Sequence, residues 1–141
     1  MNVVTRGLMA AGMGMYAAMH IFQAVDPPPG APAWLTVAFA ATALAAIGIA
    51  VMLIATSTRR EVVWEQAAAA LAGASALALV LSYTTGFFGV AEADLRAETL
   101  LVAVAELITL LAYAISRAVP SNGDELTGDP VPDTPLERNA G

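Results

Sequence analysis

One carboxylic acid, Glu106, and the single histidine of the chain, His20, stand inside long apolar runs, where a polar group needs a partner or a purpose. A carboxyl and an imidazole at similar depth are the minimal parts of a proton relay, or of a site for a small solute or cation. Other polar residues recur around them. Met9, Met13, Tyr16, His20 and Gln23 follow one another at steps of four and three, so they fall on one stripe of a helix. Thr99, Glu106 and Tyr113 are spaced by seven, with Thr109 and Ser116 beside them. The second apolar run adds Thr42, and the third adds Ser75, Ser82 and Tyr83. The candidate intramembrane cluster is therefore Glu106, His20, Tyr16, Gln23, Thr42, Ser75, Ser82 and Tyr83.

Two uses of this cluster are open. In one, Glu106 and His20, with Tyr16, Gln23 and Tyr83, line a cavity open to the outside and pass protons or hold a small solute or cation. In the other, Glu106 hydrogen-bonds Thr42, Tyr16 or a backbone carbonyl and pins one helix to another. A charge at the bilayer centre costs about 2.5 to 3.5 kcal/mol on insertion scales, so Glu106 is expected to be protonated, paired or in contact with water. His20 sits about one turn from the centre, near enough to the outer interface to reach water or the loop.

Several chemistries are excluded by residue type. Cysteine is absent, which removes disulfides, thiolate catalysis and Cys-based metal centres. Lysine is absent too, so no Schiff base can form. One histidine cannot make a bis-histidine haem or a three-histidine metal site, and the methionines at 9, 13, 15 and 19 read as adaptable packing. No nucleophile elbow, phosphate loop or dinucleotide fingerprint occurs. A Ser82–His20 dyad lacks any local oxyanion hole. The chain is therefore expected to have no catalytic, cofactor-binding or metal-ligating residues and not to be an enzyme.

The elements that position the cluster follow from hydropathy. At 141 residues, 58% hydrophobic and 13% charged, with mean hydropathy +0.70, the chain is far from the roughly 25% charge of soluble domains. Gly7 to Val25, Ala33 to Ala55, Val62 to Thr85 and Ala97 to Val119 are each long enough to cross a bilayer, which takes about 20 residues. In hydrocarbon such runs must be helices, and short connections make neighbours antiparallel. The expected fold is all-α: a four-helix transmembrane bundle, up-down-up-down. It occupies residues 1–120, with helices at about 7–25, 33–55, 60–85 and 92–119. Residues 121–141 turn abruptly to Gly, Pro, Asp, Glu and Asn and are expected to form a disordered acidic cytoplasmic tail.

Arg6, Arg59, Arg60 and Arg117 flank one side and only Arg96 the other, so both termini are expected in the cytoplasm and the protein in the cytoplasmic membrane. Trp34, Phe87 and Phe88 would mark the outer interface and Trp64 the inner one. The proline-rich segment from Asp26 to Pro32 stops the first helix. Thr58 and Glu61 have capping-box spacing, and Glu92 and Asp94 are expected in the first turn of the fourth helix, with Glu92 pairing Arg96. Gly7 with Ala11, the Ala10-Gly14-Ala18 row, Gly48, and the Ala69-Gly73 and Ala70-Ala74-Ala78 rows have small-xxx-small spacing. The first and third helices are thus expected to supply the close-packing faces.

A net charge of -6 with no lysine and abundant alanine, laid over four spans, resembles the small uncharacterised four-span membrane proteins of salt-loving archaea. The resemblance covers composition and span layout along the whole chain and brings no active site with it. The expected partners are the lipid bilayer and another copy or another membrane subunit; the acidity argues against nucleic acid. The role that fits best is a non-enzymatic accessory subunit or scaffold. A small oligomeric transporter or channel moving protons or a solute past Glu106 and His20 is the alternative, and a quinone- or haem-associated subunit a third.

Overall fold

The computed structural model describes residues 3–55, 61–86 and 96–119, and these form four helices: α1 (Val3–Val25), α2 (Ala33–Ala55), α3 (Glu61–Thr84) and α4 (Ala97–Ala118). Each is 22 or more residues long and apolar enough to cross a membrane, as a multi-pass membrane protein requires. The fold is the expected all-α, up-down-up-down bundle. α1 packs most extensively on α2 and α4, while α3 touches α4 and, more lightly, α2. The helices thus form a ring in chain order, with α1 opposite α3 and α2 opposite α4. The outward faces carry large apolar side chains such as Val37, Leu44, Val51, Leu77, Leu107 and Leu111, the surface that hydrocarbon solvates.

The helix ends have local causes. The Ala31 amide donates to the Pro28 carbonyl at 3.0 Å, and Gly30 takes a positive φ of 78°, so Pro28 to Ala31 is a turn of type II. Only a residue tolerating the left-handed region fits that corner. α3 ends as Gly86 turns left-handed, at φ 75°. α1 begins at Val3, earlier than Gly7, because nothing in residues 3 to 6 breaks a helix. α4 begins at Ala97, later than expected, because Arg96 is extended, with ψ 152°. Arg96 pairs with Glu98 at 3.7 Å. Glu92, Asp94, Phe87, Phe88, Thr58 and the 121–141 tail lie outside the described residues.

Of the small residues expected in the helix contacts Ala10 is buried in the core, and close packing otherwise uses different ones. Gly7, Ala11, Gly14 and Ala18 all lie on the exposed side of α1, and a side chain added at Gly7, Gly14, Gly48 or Gly73 would meet nothing within 4 Å. The contact is at Gly12. A Cβ there would overlap Thr109 Oγ1 and stand 3.2 Å from the Ala105 carbonyl, so α1 and α4 come together only because this residue has no side chain. On α3 the fully buried small residues are Ala68 and Ala72, one position from the Ala69-Gly73 row.

Candidate functional site

Because the helices are antiparallel and nearly equal in length, positions can be counted from the end shared by Val25, Ala33, Thr84 and Ala97. Tyr16, Thr42, Ser75 and Glu106 each lie about nine residues, hence about 13 Å, from that end. They make one layer near mid-span. Above it come a layer of His20, Phe39, Leu79 and Val102 and then one of Gln23, Leu35, Ser82 and Thr99. Below it lie Met13, Ala46, Ala72 and Thr109, then Met9, Ile49, Ala68 and Ala112, and finally Thr5, Leu53, Glu65 and Ser116. Polarity changes layer by layer along the bundle axis.

In the mid-span layer, Glu106 is 2% exposed and its carboxyl is hydrogen-bonded by Ser75, whose hydroxyl also meets the Tyr16 phenol. Ser75 on α3 thus stands between a residue of α1 and a residue of α4. Ser75, and not Thr42, fills this role because α3 adjoins α4 whereas α2 stands diagonally across the ring. The other carboxyl oxygen, Oε1, is buried with no hydrogen-bond partner among the described residues. A single interhelical hydrogen bond in a membrane is worth about 0.6 kcal/mol on average, against about 1 to 3 kcal/mol for a buried unsatisfied polar atom. A pin through Ser75 alone therefore leaves one carboxyl oxygen of Glu106 unmet among the described residues.

His20, 6% exposed, stacks on Tyr16 with ring centroids 4.1 Å apart and meets Phe39 edge-on at 5.6 Å. Its Nδ1 is 3.0 Å from the Tyr16 carbonyl oxygen. A carbonyl cannot donate, so Nδ1 carries the proton and Nε2 is left as the acceptor of the uncharged ring. His20 does not touch Glu106; Tyr16 connects the two.

A cavity of about 320 Å³ extends from the mid-span layer to the shared end. Six of the eight sequence candidates, Tyr16, His20, Gln23, Thr42, Ser75 and Ser82, line it, and Glu106 lies just behind Ser75 and Tyr16. Tyr83 is not part of it. That residue faces the seam of α3 and α4, where with Thr84 and Leu100 it borders a separate depression. The reason is angular: Ser75 and Ser82 are seven apart and share a face, whereas Tyr83 is rotated by about 100° from Ser82.

Glu65 escaped the sequence reading. It is 3% exposed, 3.5 Å from Arg117 and 3.4 Å from the Ser116 hydroxyl, and Arg117 also lies 5.1 Å over the Tyr113 ring. The signal was present, because Glu65, Ala68, Ala72 and Ser75 step by three and four along one face of α3. Arg117 is 44% exposed at its side chain, so the pair itself contributes little; its use is to accompany a buried carboxylate. Arg117→Ala is expected to destabilise the bundle by about 1 to 3 kcal/mol, the cost of an unsatisfied buried group. Adding Glu65→Leu should recover most of that loss in detergent unfolding, and equal stability of the single and double variants would refute the pairing.

Among the described residues no group of three or more His, Cys, Asp or Glu side chains is placed to hold a metal ion. Comparison of the chain with protein-family models, curated proteins and solved structures returns no match.

Proposed function

We propose that this chain is a non-enzymatic component of the cytoplasmic membrane, an accessory subunit or scaffold with both termini in the cytoplasm, whose bundle contains a cavity open on one side only. The Arg6, Arg59, Arg60 and Arg117 bias supports the orientation. The haloarchaeal-type composition supports a salt-adapted setting. One observation carries the reading: beneath Glu106 two successive layers are closed by Met13, Ala46 and Ala72 and by Met9, Ala68 and Ala112, each 2% exposed or less. Thr109, the polar member of these layers, turns its hydroxyl back onto the Ala105 carbonyl at 2.9 Å. Glu65 is about 15 Å further along α3 than Ser75, and among the described residues these apolar layers stand between the two carboxyl groups.

A proton- or solute-conducting role is the second reading, favoured by the unpartnered Glu106 Oε1 and by His20 in the same half of the bundle. Reconstitution in vesicles enclosing a pH-sensitive dye separates the two. Under an imposed potential, wild type and Glu106→Gln are expected to pass protons no faster than protein-free vesicles. A proton flux that wild type shows and Glu106→Gln loses would establish conduction and overturn the closed-cavity reading.

A further inference from the structure

The geometry points to the cavity above Glu106 as a binding site for a neutral, ring-bearing, membrane-dissolved molecule with a hydroxyl donor, of the phenol or hydroquinone class. Its volume of about 320 Å³ is at the small end of the range for ligand sites, roughly 300 to 1,000 Å³, and is room for one ring with short substituents. The walls are apolar or aromatic, with Trp34, Phe39, Leu71 and Leu79 among them, and none of the described residues that line the space is Asp, Glu, Lys or Arg. Apart from Glu106, which stands behind Ser75 and Tyr16, an ion would find no counter-charge on these walls, so the guest is neutral.

Beside the hydroxyls of Thr42 and Thr99 and the Trp34 indole, three of the polar groups that face the guest present acceptors. Gln23 Oε1 is buried without a partner. His20 presents Nε2 as an acceptor because Nδ1–H is committed to the Tyr16 carbonyl. Ser82 gives its proton to the Ala78 carbonyl at 3.0 Å, leaving only oxygen lone pairs. Each of these is met by a hydroxyl hydrogen, and none by a ketone, an ether or a bare hydrocarbon. Glu106 then has a use that offsets its cost: by holding Ser75, and through it Tyr16, it fixes the ring on which His20 stacks. Entry is from lipid. α2 and α3 contact each other lightly, and Trp34 and Ala74, which line the cavity on those two helices, are exposed at the surface.

The test uses the full chain in detergent with Trp64→Phe, so that Trp34 is the sole tryptophan, and 4-bromophenol as probe, since bromine quenches indole fluorescence only at close range. Saturable quenching is expected. Bromobenzene, the same ring without the donor, should require at least tenfold more ligand, and Gln23→Leu and His20→Phe should each weaken 4-bromophenol about fivefold, the worth of one hydrogen bond. Linear quenching, or equal affinity for the two bromoarenes on the unmodified cavity, would overturn the proposal without depending on any cavity variant folding. Tighter binding of a (4-bromobenzyl)trimethylammonium ion would overturn it in favour of a cation site. Proton flux plays no part in the readout, so failure here is distinct from failure of the closed-cavity reading.

Discussion

Gly12→Leu should prevent α1 and α4 from docking, and even Gly12→Ala should destabilise the bundle by about 1 to 3 kcal/mol, the usual cost of overpacking a filled contact. The reason is local and geometric. A Cβ at this position overlaps Thr109 Oγ1 and crowds the Ala105 carbonyl; the first neighbour is a side chain, but the second is backbone and cannot step aside. Helix association in lipid depends on such close approaches, because hydrocarbon solvates leucine as well as another helix does. Gly14→Ala, two residues away where nothing lies within 4 Å, is the control and should be neutral or slightly stabilising, since alanine favours a helix by about 1 kcal/mol over glycine. Thermal unfolding in detergent reads both. Thr109→Ala should partly rescue Gly12→Ala by removing the overlapping oxygen, a coupling expected only of residues in contact. If alanine at 12 and at 14 had the same effect, the α1–α4 contact described here would be wrong.

The second large effect is expected at the closed layers. Met9 and Met13 are both fully buried, and truncating a buried methionine to alanine costs about 2 to 5 kcal/mol through lost contacts and the cavity left behind. In a bilayer the low end of that range applies, because burial itself adds little. The functional consequence should exceed the structural one. With both methionines cut back, the space between the Glu106 layer and Glu65 becomes large enough for water, which can occupy a cavity when polar groups are within reach. Met9→Ala/Met13→Ala vesicles should therefore leak protons where wild type does not, and adding Glu106→Gln should slow that leak. A folded double variant that stays as tight as wild type would show that these layers do not separate the two carboxylates.

Sequence alone determined the number, length and type of the helices, because a hydrocarbon solvent leaves about twenty consecutive apolar residues one way to satisfy their backbone. It also determined that Met9, Met13, Tyr16 and His20 share a buried stripe, since helical periodicity depends on nothing outside the helix. What it could not settle was partnership between helices. Which hydroxyl meets Glu106, whether Tyr83 or Glu65 faces inward, and which of many small residues is the close contact all depend on the rotation of each helix about its axis. In an alanine-rich chain every face offers small residues, so spacing alone favoured Gly7, Gly14 and Gly73, and only packing selected Gly12, Ala68 and Ala72. The ring order then put α3 beside α4 and α2 across from it, and that adjacency gave Glu106 to Ser75.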